Sequence, residues 1–362
     1  MRTREQTIPF LVVAAALLLP VAPIPISVSS SPATKCASSA VRLKGAGQTS
    51  DYGILRSVDR GKTWTKVVND SGAIQTIAEV SARRVWAGTN AALQGPKMEF
   101  GLLRSDDEGS KWIRSSSCPG GIDLSDIRSI ISVSEGHLLA AGGRGVFCSD
   151  DGGESWVGLN GGLISGAGSN VQSLANHGQG VVLAATYDGV SRSDQYGPWK
   201  PAGPRGVPVN VVAISPKGTI LAGSGGKGIY RSTDLGVTWK PIIVTSGRVW
   251  VSTIVTDPKG TIFAGISDHG VYRSDDDGIS WKQLHIPGKR LQVFALATSA
   301  SGDLYAATSD CCPAQEVSLS RSSDSGSTWS TILELHEADV AIGSVAVTAT
   351  GTILVGLNWV GE

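Results

Sequence analysis

Asp188 and Asp268 stand in short polar stretches and carry the side chains from which acid–base cleavage of a glycosidic bond is built, given the right separation. Arg248 and Trp250 put a guanidinium beside an aromatic ring, a pair suited to stacking on a sugar or a peptide side chain. Further polar side chains in comparable stretches are Arg144, Arg205, Lys227, His269 and Arg290, with Lys289, His336 and Asp339. Six other aspartates, Asp59, Asp107, Asp151, Asp234, Asp276 and Asp324, each precede a Trp by five residues. A catalytic group is not copied at even intervals, so these six are expected to be structural. No Cys-x-x-Cys or His-x-x-x-His spacing occurs, and no metal or cofactor is expected. The run Asp275-Asp-Asp277-Gly278 lacks a Glu at the twelfth position of a calcium loop and fits the Trp-centred register better.

The elements that must position these groups follow from that register. A short strand ending in Arg-Ser or Cys-Ser runs into an Asp–Gly turn and then a Trp, as in Ser57-Val-Asp59-Arg-Gly61-Lys-Thr63-Trp64, Ser232-Thr-Asp234-Leu-Gly236-Val-Thr238-Trp239 and Ser322-Ser-Asp324-Ser-Gly326-Ser-Thr328-Trp329. The repeat tryptophans are Trp64, Trp112, Trp156, Trp199, Trp239, Trp281 and Trp329, spaced 48, 44, 43, 40, 42 and 48 residues apart. That is the length of a four-stranded propeller blade. One clean copy gives strands over Val209–Ile214, Thr219–Ala222, Gly228–Ser232 and Thr238–Ile242; the next gives Ser252–Thr256, Thr261–Ala264, Gly270–Ser274 and Ser280–Leu284. No segment has sustained helical periodicity. Within the box, the Asp carboxylate is expected to accept backbone N–H bonds across the turn, the Gly to take positive φ, and the Trp to bury its ring between sheets. The fourth copy, Ser193-Asp194-Gln195-Tyr196-Gly197-Pro198-Trp199, is one residue short and has Gln195 in place of the Asp.

This Ser-x-Asp-x-Gly-x-Thr-Trp pattern resembles the Asp-box, or BNR, repeat of the sialidase-like propellers, from about Tyr52 to the C-terminus. Families with the repeat include sialidases, xyloglucanase-type glycoside hydrolases, sortilin-type receptors and photosystem II assembly factors. The resemblance implies boxes on the blade periphery, away from the functional face, and leaves the activity open. The Phe/Tyr-Arg-Ile/Leu-Pro motif of sialidases does not occur; Pro23-Ile-Pro-Ile26 lacks the Arg. Xyloglucanase-type enzymes of this group have two propellers, whereas these repeats suffice for one. The assembly-factor type, a single exported non-enzymatic propeller, matches in size and topology.

The expected fold is therefore all-β, a single seven-bladed propeller over residues 41–362. Its ends close in one sheet: Ser344–Thr348 and Thr352–Leu357 supply strands that the first box lacks. Val41–Ala46 competes for the same slot, and a truncated eighth blade is the alternative. The turns joining strands one to two and three to four share the box face. The loops joining two to three and four to one form the opposite face, the default binding surface. Its longest loops are Ser115–Asp126, Gly158–Asn170, Asn90–Phe100 and Ser309–Val317.

Residues 1–29, with Met1-Arg-Thr-Arg4 before the apolar run Ile8–Leu19, have the form of a secretory signal, and 30–40 that of a linker. Export to the periplasm or beyond is expected, without stable membrane insertion. Five cysteines leave at least one unpaired; Cys148 reads as a packed thiol, and Cys36 has Cys311 or Cys312 as possible partners, with Cys118 in a loop. With 31 basic and 31 acidic residues there is no electrostatic footprint for nucleic acid. These readings point to a monomeric, non-catalytic module that binds a protein or glycan through the loop face. The rival is a glycoside hydrolase using Asp188 and Asp268.

Overall fold

Short apolar runs separated by Gly-rich turns give 28 strands among the described residues, and no α-helix. The computed structural model describes residues 52–69, 72–90, 101–115, 123–163, 169–286, 291–310, 317–335 and 340–359. The leader, the linker, Val41–Ala46, Cys36, Cys118, Cys311 and Cys312 lie outside these, as do Lys289, Arg290, His336 and Asp339.

The described residues begin with the outer half of a sheet, β1 (Gly53–Ser57) and β2 (Thr65–Asn69), joined by the first box. The second box belongs to β3 (Ala73–Ser81), β4 (Arg84–Asn90), β5 (Leu102–Ser105) and β6 (Ile113–Ser115). The third lies in β7 (Ile127–Ser134), β8 (His137–Gly142), β9 (Gly145–Ser149) and β10 (Val157–Gly158). The fourth lies in β11 (Val171–Gly178), β12 (Val181–Thr186), β13 (Gly189–Asp194) and β14 (Lys200–Pro201). The fifth unit is β15 (Val209–Ile214), β16 (Ile220–Gly226), β17 (Ile229–Ser232) and β18 (Lys240–Ile242). The sixth is β19 (Val249–Thr256), β20 (Ile262–Ile266), β21 (Gly270–Ser274) and β22 (Lys282–Gln283). The seventh is β23 (Leu291–Thr298), β24 (Leu304–Asp310), β25 (Val317–Ser322) and β26 (Ser330–Leu335). Finally, β27 (Val340–Val347) and β28 (Ile353–Trp359) return to the start, and β28 pairs with β1 from Gly53–Leu357 to Ser57–Ile353. The expected closure of the two ends in one sheet is thus observed.

All pairings within the units are antiparallel meanders, the arrangement of a β-propeller. They make six hydrogen-bonded sheets, five of four strands and one of eight. The larger one arises because β16 also pairs with β19 at Gly225–Trp250 and Gly226–Val249, joining the fifth and sixth units. Two consecutive glycines leave the room that lets a neighbouring backbone come this close.

The core sits between units. Buried side chains of the third unit, such as Ile127, Ile130, Leu138 and Trp156, pack with Ala78, Trp86 and Leu102 of the second. Trp156 meets Trp86 edge-on at 6.1 Å, and both are almost fully buried. Each inner strand carries a β-bulge near its start, leaving Gln75, Arg128, Gln172, Asn210, Ser252, Phe294 and Gly343 as the extra residues. A bulge bends and re-aims the strand, and three of these residues reach the next unit. Asn210 Nδ2 donates to Val251 O at 3.0 Å, Ser252 Oγ to Val293 O at 2.7 Å, and Arg128 Nη1 to Asn170 Oδ1 at 2.6 Å.

Candidate functional site

The box face is built from a repeated local cage. In the fifth box the Ser232 hydroxyl accepts the Gly236 N–H at 3.0 Å and donates to Asp234 Oδ1 at 2.8 Å. Asp234 Oδ1 in turn accepts the Thr238 N–H at 2.8 Å, and its other oxygen accepts the Thr238 hydroxyl. The same set recurs at Ser57–Thr63, Ser149–Ser155, Ser274–Ser280 and Ser322–Thr328. At Asp107, Lys111 supplies only its N–H. Hydroxyl donation from the Thr or Ser, followed by the backbone N–H, holds Asp59, Asp234, Asp276 and Asp324 at about 2. Carboxylates so committed to their own turn are not poised to exchange protons with a substrate. The Ser, whose hydroxyl organises the turn, had no role assigned from sequence, although it precedes every box.

The box Trp links units. Trp64 Nε1 donates to Gly61 O and to Ile332 O in the seventh unit, and Trp239 Nε1 to Gly236 O and to Ala202 O in the fourth. The box Gly must also be Gly: Gly278 has φ 81°, and a Cβ there would sit 2.7 Å from Leu221 of the preceding unit. Backbone bonds tie the boxes to the turns between first and second strands, such as Glu108 N to Arg83 O at 2.9 Å and Gly152 N to Gly136 O at 2.8 Å. Both therefore lie on one face, as expected from the topology.

The opposite face holds the loops. Ser267 N bonds to Trp250 O, Gly225 N to Pro208 O and Gly206 N to Asp188 O, joining the ends of second strands and the loops after them to the starts of first strands and the loops before them. Trp250 is half-buried, its ring lying over the Gly225 backbone beside Asn210, while exposed Arg248 crosses over Gly226. The pair seen in the sequence is thus brought together. Exposed Arg144 meets Asp123 at 3.1 Å; the Ser125 hydroxyl, against burial, and then this guanidinium hold Asp123 below the ordinary range. Arg128 clasps Asp126 through Nε and Nη2 at 3.0 and 2.7 Å. Arg205 and Lys227 are exposed, and His269 Nδ1 is 3.0 Å from Ser267 O.

Asp188 and Asp268 also lie on this face, Asp188 half-buried and Asp268 exposed at φ 63°. They are in the turns after β12 and β20, with the whole β15–β18 unit between them. The polar bulge residues Gln75, Arg128, Gln172 and Asn210 are a feature of this region that sequence reading missed. The signal was a polar pair breaking an apolar alternation, as in Ile74-Gln-Thr-Ile77. Among the described residues, buried Gln75 Oε1 has no hydrogen-bond partner.

Among the described residues one group of side chains can hold a metal, His137, Cys148 and Asp150, and it lies at the box side of the third unit. Burial first, and then the Asp150 charge, push the Cys148 thiol up to about 11. No spacing rule finds this group, because strand pairing assembles it.

No protein family matches the sequence, and no curated protein is similar to it. Solved structures are similar in fold. A structure of YCF48 bound to D1 peptide superposes with a TM-score of 0.60 at 17% identity, covering 81% of this chain and 95% of that one. The GH74 xyloglucanase from Xanthomonas campestris gives 0.59 at 16%, covering 82% and 55%. An ancestral GH74 enzyme gives 0.53 at 18%, covering 62% and 33%. The chain thus spans a third to about half of the GH74 enzymes and nearly the whole of YCF48. These likenesses establish a β-propeller and nothing of its activity.

Proposed function

We propose that this chain is a seven-bladed propeller of the Asp-box kind, exported after removal of residues 1–29, which binds a protein or glycan without catalysis. Seven blades are supported by the eight-stranded sheet, which divides into two four-stranded meanders, each with its own box and inner strand. The inner strands β27, β3, β7, β11, β15, β19 and β23 pack each on the next, and β23 returns to β27. The Asp-box reading is supported by the repeated Ser–Asp–Gly–Thr cage.

One observation carries the functional reading. On the loop face Trp250 and Arg248 are presented side by side over two glycines, whereas Asp123 and Asp126, on the same face at the third unit, are clasped by arginines. An aromatic ring with a guanidinium beside it offers stacking and charge, the needs of a binder. Glycosidases instead place two carboxyl groups roughly 5–10 Å apart across one bond, and a whole unit stands between Asp188 and Asp268. The likeness to a YCF48 structure that contains a peptide adds a precedent for peptide binding on a propeller of this length.

The test is a capture experiment from the native envelope beside a glycoside panel. A partner retained by the wild type and lost with R248A/W250A supports the reading. Glycoside turnover that disappears in D188N or D268N overturns it. Intact mass of the protein from its own compartment decides the export claim: a chain still carrying Met1–Ser29 refutes cleavage.

A further inference from the structure

Around the ring, the residue before each box Ser is Arg56, Arg104, Cys148, Arg192, Arg231, Arg273 or Arg321. Most of these arginines reach the neighbouring unit, while Arg321 pairs with Asp303 of its own. Arg56 donates to Glu108 O, Arg192 to Leu235 O, Arg231 to Asp277 O and Arg273 to Ser325 O, at 2.8–3.2 Å, in each case to the residue before the next box Gly. Where an Asp stands two residues further on, the Arg pairs with it as well: Arg104 with Asp106, Arg192 with Asp194, Arg273 with Asp275. The third unit keeps the Asp, as Asp150, but replaces the Arg with Cys148.

The carboxylate that lacks its guanidinium turns to His137, whose Nδ1 is 3.3 Å from Asp150 Oδ1. Cys148 Sγ lies 3.2 Å from His137 Nε2 and 3.8 Å from Asp150 Oδ1. The residue of the next unit that elsewhere receives the Arg is Tyr196, and its ring rests on the His137 ring at 4.4 Å. Cys148 thus takes the place of the arginine, while Asp150 is kept and is met by His137 from the start of β8, much as Asp106 is met by Arg84 from the start of β4.

We propose that His137, Cys148 and Asp150 form a binding site for a zinc-class divalent cation. Thiolate, imidazole and carboxylate are the zinc donor set. With bonds of about 2.3 Å to sulfur and about 2.0–2.2 Å to nitrogen and oxygen, tetrahedral ligand atoms lie about 3.3–3.6 Å apart. The two sulfur distances, 3.2 and 3.8 Å, bracket that range, and all three ligand atoms lie within 4.8 Å of one another; the ring faces Cys148 with Nε2 and Asp150 with Nδ1, so the carboxylate or the ring must turn to present both to one ion. Access comes from the Asp150 side, whose side chain is 77% exposed, while the sulfur is at the buried end. Binding replaces the thiol S–H bond with an S–metal bond and releases that proton to solvent; water completes the coordination. The ion would fix the His137 ring on which Tyr196 rests, and so joins the third and fourth units where the guanidinium is missing.

The test is titration of the metal-stripped full chain with zinc, followed by cobalt substitution. The expected result is one zinc per chain and a thiolate-to-cobalt charge-transfer band in the near ultraviolet. In C148S the band is lost, and zinc affinity falls at least tenfold in both C148S and H137N. Failure of the wild type to bind stoichiometrically, or a band unchanged in C148S, overturns the site, since the remaining cysteines would then be the source. Should C148S fail to fold, D150N alters only an exposed side chain: weaker zinc binding supports the proposal, and unchanged binding overturns it.

Discussion

The fourth and fifth boxes occupy equivalent corners of adjacent units but are held differently. In the fifth, Ser232 accepts the Gly236 N–H and the Asp234 carboxylate gathers the Thr238 N–H and hydroxyl. In the fourth, Ser193 Oγ instead donates to Gly197 O at 2.7 Å, the Gly197 N–H bonds to Asp194 O, and Gln195 reaches away to Gln179 O. Gln195 and Tyr196 both adopt positive φ to turn the chain. Yet Trp199 still donates to Leu159 O in the preceding unit, at 2.7 Å, as Trp239 does to Ala202 O. The carboxylate cage is dispensable at one corner, whereas the tryptophan link between units is kept. The Asp therefore shapes its own turn, and the Trp connects units.

The largest expected effect breaks what the two corners share. Trp199→Ala removes a ring that is only 2% exposed and should cost about 3–5 kcal/mol, read by denaturant unfolding. A loss near that of a surface substitution would remove the Trp from its linking role. A smaller effect separates the corners. Ser232→Ala strands the buried Gly236 N–H and should cost about 1–3 kcal/mol. Ser193→Ala, whose hydroxyl only donates to a carbonyl, should cost about 0.5–1.5 kcal/mol. Equal losses at the two serines would erase the distinction.

Acid provides a third contrast. The carboxyls of Asp59, Asp234, Asp276 and Asp324 are depressed from 3.8 to about 2 in the folded chain. Their contribution is complete above the unfolded value of 3.8 and is lost as pH falls through about 2. The melting temperature should drop across that window, and less steeply in D234N; a flat profile would count against the cage. The fourth corner, with Gln195, adds nothing to this slope. The smallest effect is Gln195→Asp: with no Thr at the right spacing to donate, stability should change by less than about 0.5 kcal/mol. A clear gain would mean that the carboxylate alone organises the turn.

Much of the fold was legible because the box is local. Its bonds join residues i, i+2, i+4 and i+6, so spacing alone revealed the turn, and seven even repeats revealed the meanders. Strand bounds such as Val209–Ile214 and Gly270–Ser274 agree with the observed elements, since turn residues mark their edges: Ser215-Pro216 after the first, Gly270 and the Asp–Gly turn around the second. The closure of β28 on β1 was readable too, because two unfinished sheets stood at opposite ends.

The candidate sites were only partly legible. Placement of Arg248 beside Trp250 follows from alternation within one segment, but their seat on Gly225 and Gly226 depends on pairing between two units. The same holds for Cys148. The sequence by itself determined that it stands where other copies have Arg. Only the register of β8 against β9 decided that His137 and Asp150 flank it, and only the docking of the next unit decided that Tyr196 covers His137. The inner bulges were likewise settled by tertiary structure. A bulge is a mismatch between two strands, and neither strand alone records it. Local turn chemistry is written in neighbouring residues; contacts across strands and units depend on register and packing, which the whole ring sets together.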